Sequence, residues 1–127
     1  MEPQYSGSLK KAEEFRQRTK RFAIRIINLF RALPKSSDAQ TLGKQVLRSG
    51  TSVAANYRAV CRSRSKAEFI SKMGIVVEEA DETVVWFEVL TETGVIAENR
   101  TMDLQSEANE RLAIFSASLR RAKRDFQ

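Results

Sequence analysis

The stretch SKAEFISKMGIVVEEADETVVWFEVLTETG, residues 65–94, decides the fold. Ser65 and Glu68 have the spacing of a capping box, in which the serine oxygen accepts from the third helical amide and the glutamate reaches back. A helix therefore starts at Lys66. Apolar side chains follow three and four residues apart at Phe69, Ile70, Met73, Val77, Ala80, Val84 and Phe87, which places them on one face. Gly94, free to turn left-handed, ends the helix after Thr93. A second apolar set, Ile75, Trp86, Val89 and Leu90, points away from the first, so the C-terminal half of this helix is greasy nearly all round. Such a helix has to be covered on both sides. An indole alone buries about 150–250 Å², too much to leave in water beside Ile75 and Leu90. The expectation is that copies of the chain associate through Ile75, Trp86, Val89 and Leu90, with Ile24 of the first helix.

The same periodicity extends outward in both directions. Ala12, Phe15, Phe22, Ile26, Leu29 and Leu33 line one side of a first helix, widened by Ala23, Ile27 and Phe30, while Ile24 falls on the opposite side. Pro34 ends it, because the residue before a proline is pushed out of the α region. Ser37 to Gln40 has capping-box spacing and opens a second helix with apolar positions Ala39, Leu42, Val46, Val53, Tyr57 and Val60. Gly43, Gly50 and Ala54 lie alongside, where small residues let a neighbouring helix approach. Gly50 in a helix interior costs about 1 kcal/mol relative to Ala, so close packing is expected there. Arg62-Ser63-Arg64 is the turn into the third helix, Val95 to Thr101 a connection, and Leu104, Ala108, Leu112, Phe115, Leu119, Ala122 and Phe126 the face of a fourth helix. The sequence thus predicts one all-α domain over residues 1–127, with helices near 9–33, 38–62, 66–93 and 102–126. Short connections make consecutive helices neighbours in an antiparallel up-down-up-down four-helix bundle.

Composition closes off most chemistry. Among 127 residues there is no histidine, so no Ser-His or Cys-His pair, zincin-type site or Glu-x-x-His di-iron site can form. One cysteine, Cys61, allows no internal disulfide and suits a reducing compartment. No run approaches the roughly 18 apolar residues that span a bilayer. The opening residues Met1 to Ser8 lack the basic-then-apolar layout of a secretory signal, so the expected location is the cytoplasm. Neither enzymatic activity, a cofactor nor a bound metal is expected.

Charge is segregated along the chain. Residues 1–77 carry 16 Lys/Arg against 5 Asp/Glu, residues 78–110 carry 1 against 10, and residues 111–127 carry 5 against 1. Lys44, Arg48, Arg58 and Arg62 share one arc of the second helix opposite its apolar stripe, continuing into Arg64 and Lys66. Cations along a helix face suit a nucleic-acid backbone, since each neutralised phosphate releases condensed counterions. The same polarity suits pairing between copies of the chain, the basic arc of one against the acidic third helix of another, in a protein-interaction scaffold without nucleic-acid affinity. Glu78, Glu79 and Glu82 match the Glu-Glu-x-x-Glu half of the motif of helical magnesium-dependent nucleotide pyrophosphatases, but the second half is represented only by Glu107 and Glu110, without the aspartate. Cys61 reads as a small apolar residue, and Asn56 as a bond to a neighbouring helix.

Leu33-Pro34, the run Leu42 to Arg58 (LGKQVLRSGTSVAANYR), Ser65 to Ile70, Glu78 to Ala80 and Trp86 together resemble the four-helix-bundle family named for proteins encoded in 23S rRNA intervening sequences. The resemblance covers about Phe22 to Gly94. It departs at Ala59-Val60, where an acidic residue followed by Gly or Ala is common. What it implies is a ring-shaped homo-oligomer, a pentamer, without catalytic residues. Relatives include the accessory variability protein of diversity-generating retroelements, so RNA or DNA, and a reverse transcriptase in a retroelement setting, are the implied partners.

Overall fold

The computed structural model describes residues 9–126. The opening stretch, on which the reading of export rests, lies outside the described residues. The chain forms α1 (Leu9–Ala32), α2 (Ser37–Cys61), α3 (Lys66–Glu92) and α4 (Met102–Phe126), with a 3-10 turn over Glu98–Arg100 and no strand among the described residues.

Local chemistry sets the helix ends. At α3 the Ser65 side chain accepts from the Glu68 amide at 3.0 Å, while the Glu68 carboxylate turns back one residue further than a capping box requires and accepts from the Arg64 amide at 3.3 Å. The other end is a Schellman motif. Gly94, at φ 76°, donates to the Thr91 carbonyl at 3.1 Å, and Val95 donates to that of Leu90 at 3.1 Å. The capping box expected at Ser37 does not form. Ser36 is the N-cap residue, the Ala39 amide donates to Asp38 Oδ1 at 2.8 Å, and the Gln40 side chain reaches the Pro34 carbonyl at 2.8 Å. A carboxylate one residue from the first free amides takes the place of the serine hydroxyl.

The buried side chains gather in two clusters. Phe22, Ile26 and Leu33 of α1, Val46 of α2, Phe87 and Leu90 of α3, and Leu104 and Ala108 of α4 form one, closed by Ile96 from the α3–α4 connection. Val53, Tyr57 and Val60, then Phe69, Met73, Val76 and Ala80, then Phe115 and Ala122 form the other, with Phe15 packed against it. Each fully buried Phe, Ile or Leu contributes about 1.5–3 kcal/mol. Between the clusters the buried hydroxyls of Ser49 and Thr83 lie 2.9 Å apart, with Thr83 Oγ1 also 2.7 Å from the Glu79 carbonyl, so α2 and α3 are joined by a satisfied polar contact.

The α3 face differs from the sequence reading. Its buried line is Phe69, Met73, Val76, Ala80, Thr83, Phe87 and Leu90, whereas Ile70, Val77 and Val84 sit half-buried on its flank. With apolar residues on several sides, spacing alone does not choose which stripe turns inward.

Gly50 provides the close approach expected of it. A Cβ there would run into the side chain of Ile26, which is fully buried, and one at Gly43 would meet Leu33 and Phe30. Around Gly74, by contrast, a Cβ meets nothing within 4 Å. Gly50→Leu should therefore destabilise the fold by about 1–3 kcal/mol through overpacking. Gly74→Ala should stabilise it by about 0.5–1 kcal/mol, both read by chemical denaturation.

Two carboxyls at helix starts titrate below their ordinary range. Glu68 is held down by Lys72 and by the Arg64 amide, Asp38 by the Ser36 hydroxyl and the Ala39 amide. A depressed folded pKa gives stability that is complete above the unfolded pKa and lost as pH falls through the folded one. The denaturation midpoint should accordingly drop as pH goes from about 5 to about 3, and Glu68→Gln should make that drop shallower.

Candidate nucleic-acid interface

The basic arc of α2 survives folding, but its members are not equivalent. Lys44, Arg58 and Arg62 are exposed and make no hydrogen bond or ion pair among the described residues, and neither does half-buried Lys66 at the start of α3. Arg64 is 89% exposed and only approaches Glu68, at 3.9 Å. Arg48 is different. It bridges to Glu79 at 3.2 Å and to Glu82, both on α3.

That clamp brings the basic and acidic segments together within one chain, at the place where the sequence suggested pairing between copies. It also occupies two of the three carboxylates of the Glu-Glu-x-x-Glu pattern, and Glu82 accepts from the Trp86 indole N–H at 3.1 Å as well. Glu107 and Glu110 are taken in turn by Arg18, at 2.7 and 2.9 Å. No group of three or more His, Cys, Asp or Glu side chains stands ready to hold a metal ion among the described residues.

The surface expected to join copies is partly internal. Leu90 is fully buried in the first core cluster and cannot touch a second chain. It lies on the inward line with Thr83 and Phe87, about 40° around the helix from Trp86 and about 100° from Val89. Trp86 is half-buried, packed against that cluster. Val89 is half-buried, and Ile24 and Ile75 are exposed, at 52% and 43%. Val85, absent from the expected set, is exposed at 44%. Asn56 bonds its own helix, donating to the Ser52 carbonyl at 2.9 Å and lying 2.7 Å from the Ser52 hydroxyl, so the expected interhelical bond is replaced. Cys61 is half-buried against the second cluster.

Arg111 was not legible as a core residue. Its side chain is wholly buried, at the position where the α4 stripe continues between Ala108 and Phe115, and its guanidinium stacks 5.1 Å from the Phe15 ring centre and 5.7 Å from that of Phe115. The signal was its register, three residues after Ala108 and four before Phe115. Glu107 lies 3.2 Å from its Nε without hydrogen-bonding alignment, and Glu110 is 3.6 Å away. Burial lowers the Arg111 pKa, opposed by Glu107. The charge is thus offset by two ring faces and by the carboxylates of Glu107 and, less closely, Glu110. Arg111→Met should be neutral or stabilising, because it removes a buried charge lying against the Phe15 and Phe115 rings while Glu107 and Glu110 keep Arg18 as their partner. Glu107→Gln should cost about 2–4 kcal/mol in denaturation by leaving the guanidinium without its nearest counter-charge.

No helix among the described residues is long and apolar enough to cross a membrane. The model of the family described as 23S rRNA-intervening sequence protein matches residues 11–117, which reach into all four helices and extend beyond the segments that carried the resemblance. A crystal structure of a protein with unknown function from the S23 ribosomal protein family of Bacteroides thetaiotaomicron is similar to this chain. It is 32% identical, with a TM-score of 0.79 over 87% of this chain and 98% of that one. No curated protein matches. With the capping pattern at Ser65, the α2 run from Leu42 to Arg58 and the helical fold all falling inside the matched span, the chain belongs to the 23S rRNA-intervening sequence protein family.

Proposed function

We propose that the protein is a non-enzymatic nucleic-acid-binding bundle of the cytoplasm, with RNA as its ligand, working as a ring-shaped homo-oligomer of up-down-up-down four-helix subunits. The observation that carries this reading is the set of uncommitted cations, Lys44, Arg58, Arg62 and Lys66, on and just beyond one helix face. Surface cations ordinarily find carboxylates when these are near, as Arg16, Arg18 and Arg48 do here. A row left without them creates a field that favours a polyanion. Arg64 extends the row, and Arg48, already neutralised by α3, contributes less than its position on the arc suggested. The alternation of the two core clusters between opposite halves of successive helices supports the up-down-up-down arrangement. Exposed Ile75 and Val85 on α3, with half-buried Trp86 and Val89 of the same helix, support assembly, and Ile24 on α1 is a further exposed apolar side chain.

A scaffold held together by basic-to-acidic contacts between copies has less support, because Glu79 and Glu82 are already engaged by Arg48 of the same chain. Fluorescence anisotropy of the full chain with a single-stranded RNA oligonucleotide tests the proposal. For four phosphate contacts, affinity should fall about 50-fold when salt rises from about 50 to about 200 mM. The combined change Lys44→Glu, Arg62→Glu and Lys66→Glu should abolish binding to all sequences alike. Salt-insensitive binding, or binding unchanged in that variant, would remove the claim.

A further inference from the structure

Between the N-terminal half of α1 and the C-terminal half of α2 lies an open cleft of about 520 Å³. Arg16 and Lys20 of α1 stand on one side of it and Arg58 of α2 on the other, with Glu13 the one acidic group in its lining. Glu13 is committed locally, accepting from Arg16 at 2.7 Å and from Gln17 at 2.9 Å; those two bonds, with smaller contributions from the charges of Arg16 and of Arg58 across the cleft, hold its carboxyl below the ordinary range. Lys20 and Arg58 make no hydrogen bond or ion pair among the described residues. The α2 wall is built of Thr51, Ala54 and Ala55. The Thr51 hydroxyl donates to its own helix, to the Leu47 carbonyl at 2.7 Å, so this wall presents chiefly methyl groups and asks for no polar partner.

We infer that this cleft is the channel along which an RNA strand runs, its phosphates taken by Lys20 and Arg58 and its sugars lying against Ala54 and Ala55. The inference rests on the nucleic-acid-binding reading above and adds α1 to a site that the sequence placed on α2 and the turn after it. Cations on both sides of a methyl-lined trough match a backbone whose charges alternate with weakly polar sugar surface. Two other helix junctions among the described residues lack this combination. On the α3 side of α2, Arg48 is closed onto Glu79 and Glu82. Between α1 and α4 the opening is only about 100 Å³, and Arg18, which lines it, is bridged to Glu107 and Glu110. The small residues at 51, 54 and 55 also acquire a role, since larger ones would fill the trough.

The test uses the full chain and a single-stranded RNA oligonucleotide, with affinity measured across a salt series. Ala55→Trp fills the cleft at an exposed position without changing charge. It should weaken binding about 25-fold at about 0.1 M salt, the electrostatic value of two phosphate contacts, with the thermal unfolding curve preserved. Lys20→Gln should lower the salt slope by about 0.7, one phosphate, whereas Lys123→Gln, which removes the same charge outside the cleft, should leave the slope unchanged. Wild-type binding with Ala55→Trp equally tight, or equal slopes for the two lysine variants, would place the strand elsewhere and overturn the channel while leaving the nucleic-acid reading intact. Absence of RNA binding by the wild-type chain would overturn both.

Discussion

The spacing between α1 and α2 is set by Ile26 seated on the bare backbone at Gly50, with Leu33 and Phe30 over Gly43 repeating the contact one end further along. Because α2 presents no side chain at Gly43 and Gly50, the α1 side chains that face them seat directly on its backbone. The remainder of the structure follows from that approach. Val46 and Val53 are brought to bear on the two core clusters, and the outer face of α2 is left with its small residues and its cations. Beyond Gly50 toward the C-terminus of α2, the line of small residues continues as Ala54 and Ala55 and forms a wall of the cleft that Arg16 and Lys20 border from α1.

Electrostatics then distinguishes positions that look alike in the sequence. Arg48, Arg58 and Arg62 belong to one arc, yet only Arg48 stands beside the acidic stretch of α3, where Glu79 and Glu82 neutralise it. Arg18 is drawn to Glu107 and Glu110 in the same manner, and Arg111 is removed from solvent altogether. The acidic stretch therefore acts within the chain, stitching α2 to α3 and α1 to α4. Exposed ion pairs of this kind are each worth little in stability, so their main effect is to decide which cations stay unpaired.

Much of this organisation could be read from the chain in advance. The four helices, the Ser65 cap, the Gly94 stop and the packing purpose of Gly50 follow from periodicity and local backbone chemistry, which depend on near neighbours only. The α2 face was legible for the same reason, since its stripe is cleanly two-sided. The α3 face was not. With Val76, Val77, Val84, Val85, Trp86 and Leu90 distributed around it, the choice of inward line was made by the helices it meets, and Leu90 went into the core. Thr19, Ser49, Thr83 and Arg111 were missed as buried residues because polarity argues for the surface unless a partner is known. Each of their partners, a carbonyl, a second hydroxyl or an aromatic ring, is supplied by a helical turn or by another helix.

The sequence by itself determined the helices, where they stop and the sign of charge each segment carries, because these depend on residues within a turn or two of one another. Only the tertiary structure decided which cations are neutralised, which apolar side chains are withdrawn from solvent, and that α1 and α2 enclose a trough between them. Those outcomes depend on residues 31 to 92 positions apart meeting across helix boundaries, as Arg48 meets Glu79 and Arg18 meets Glu110, and no local pattern encodes such a distance.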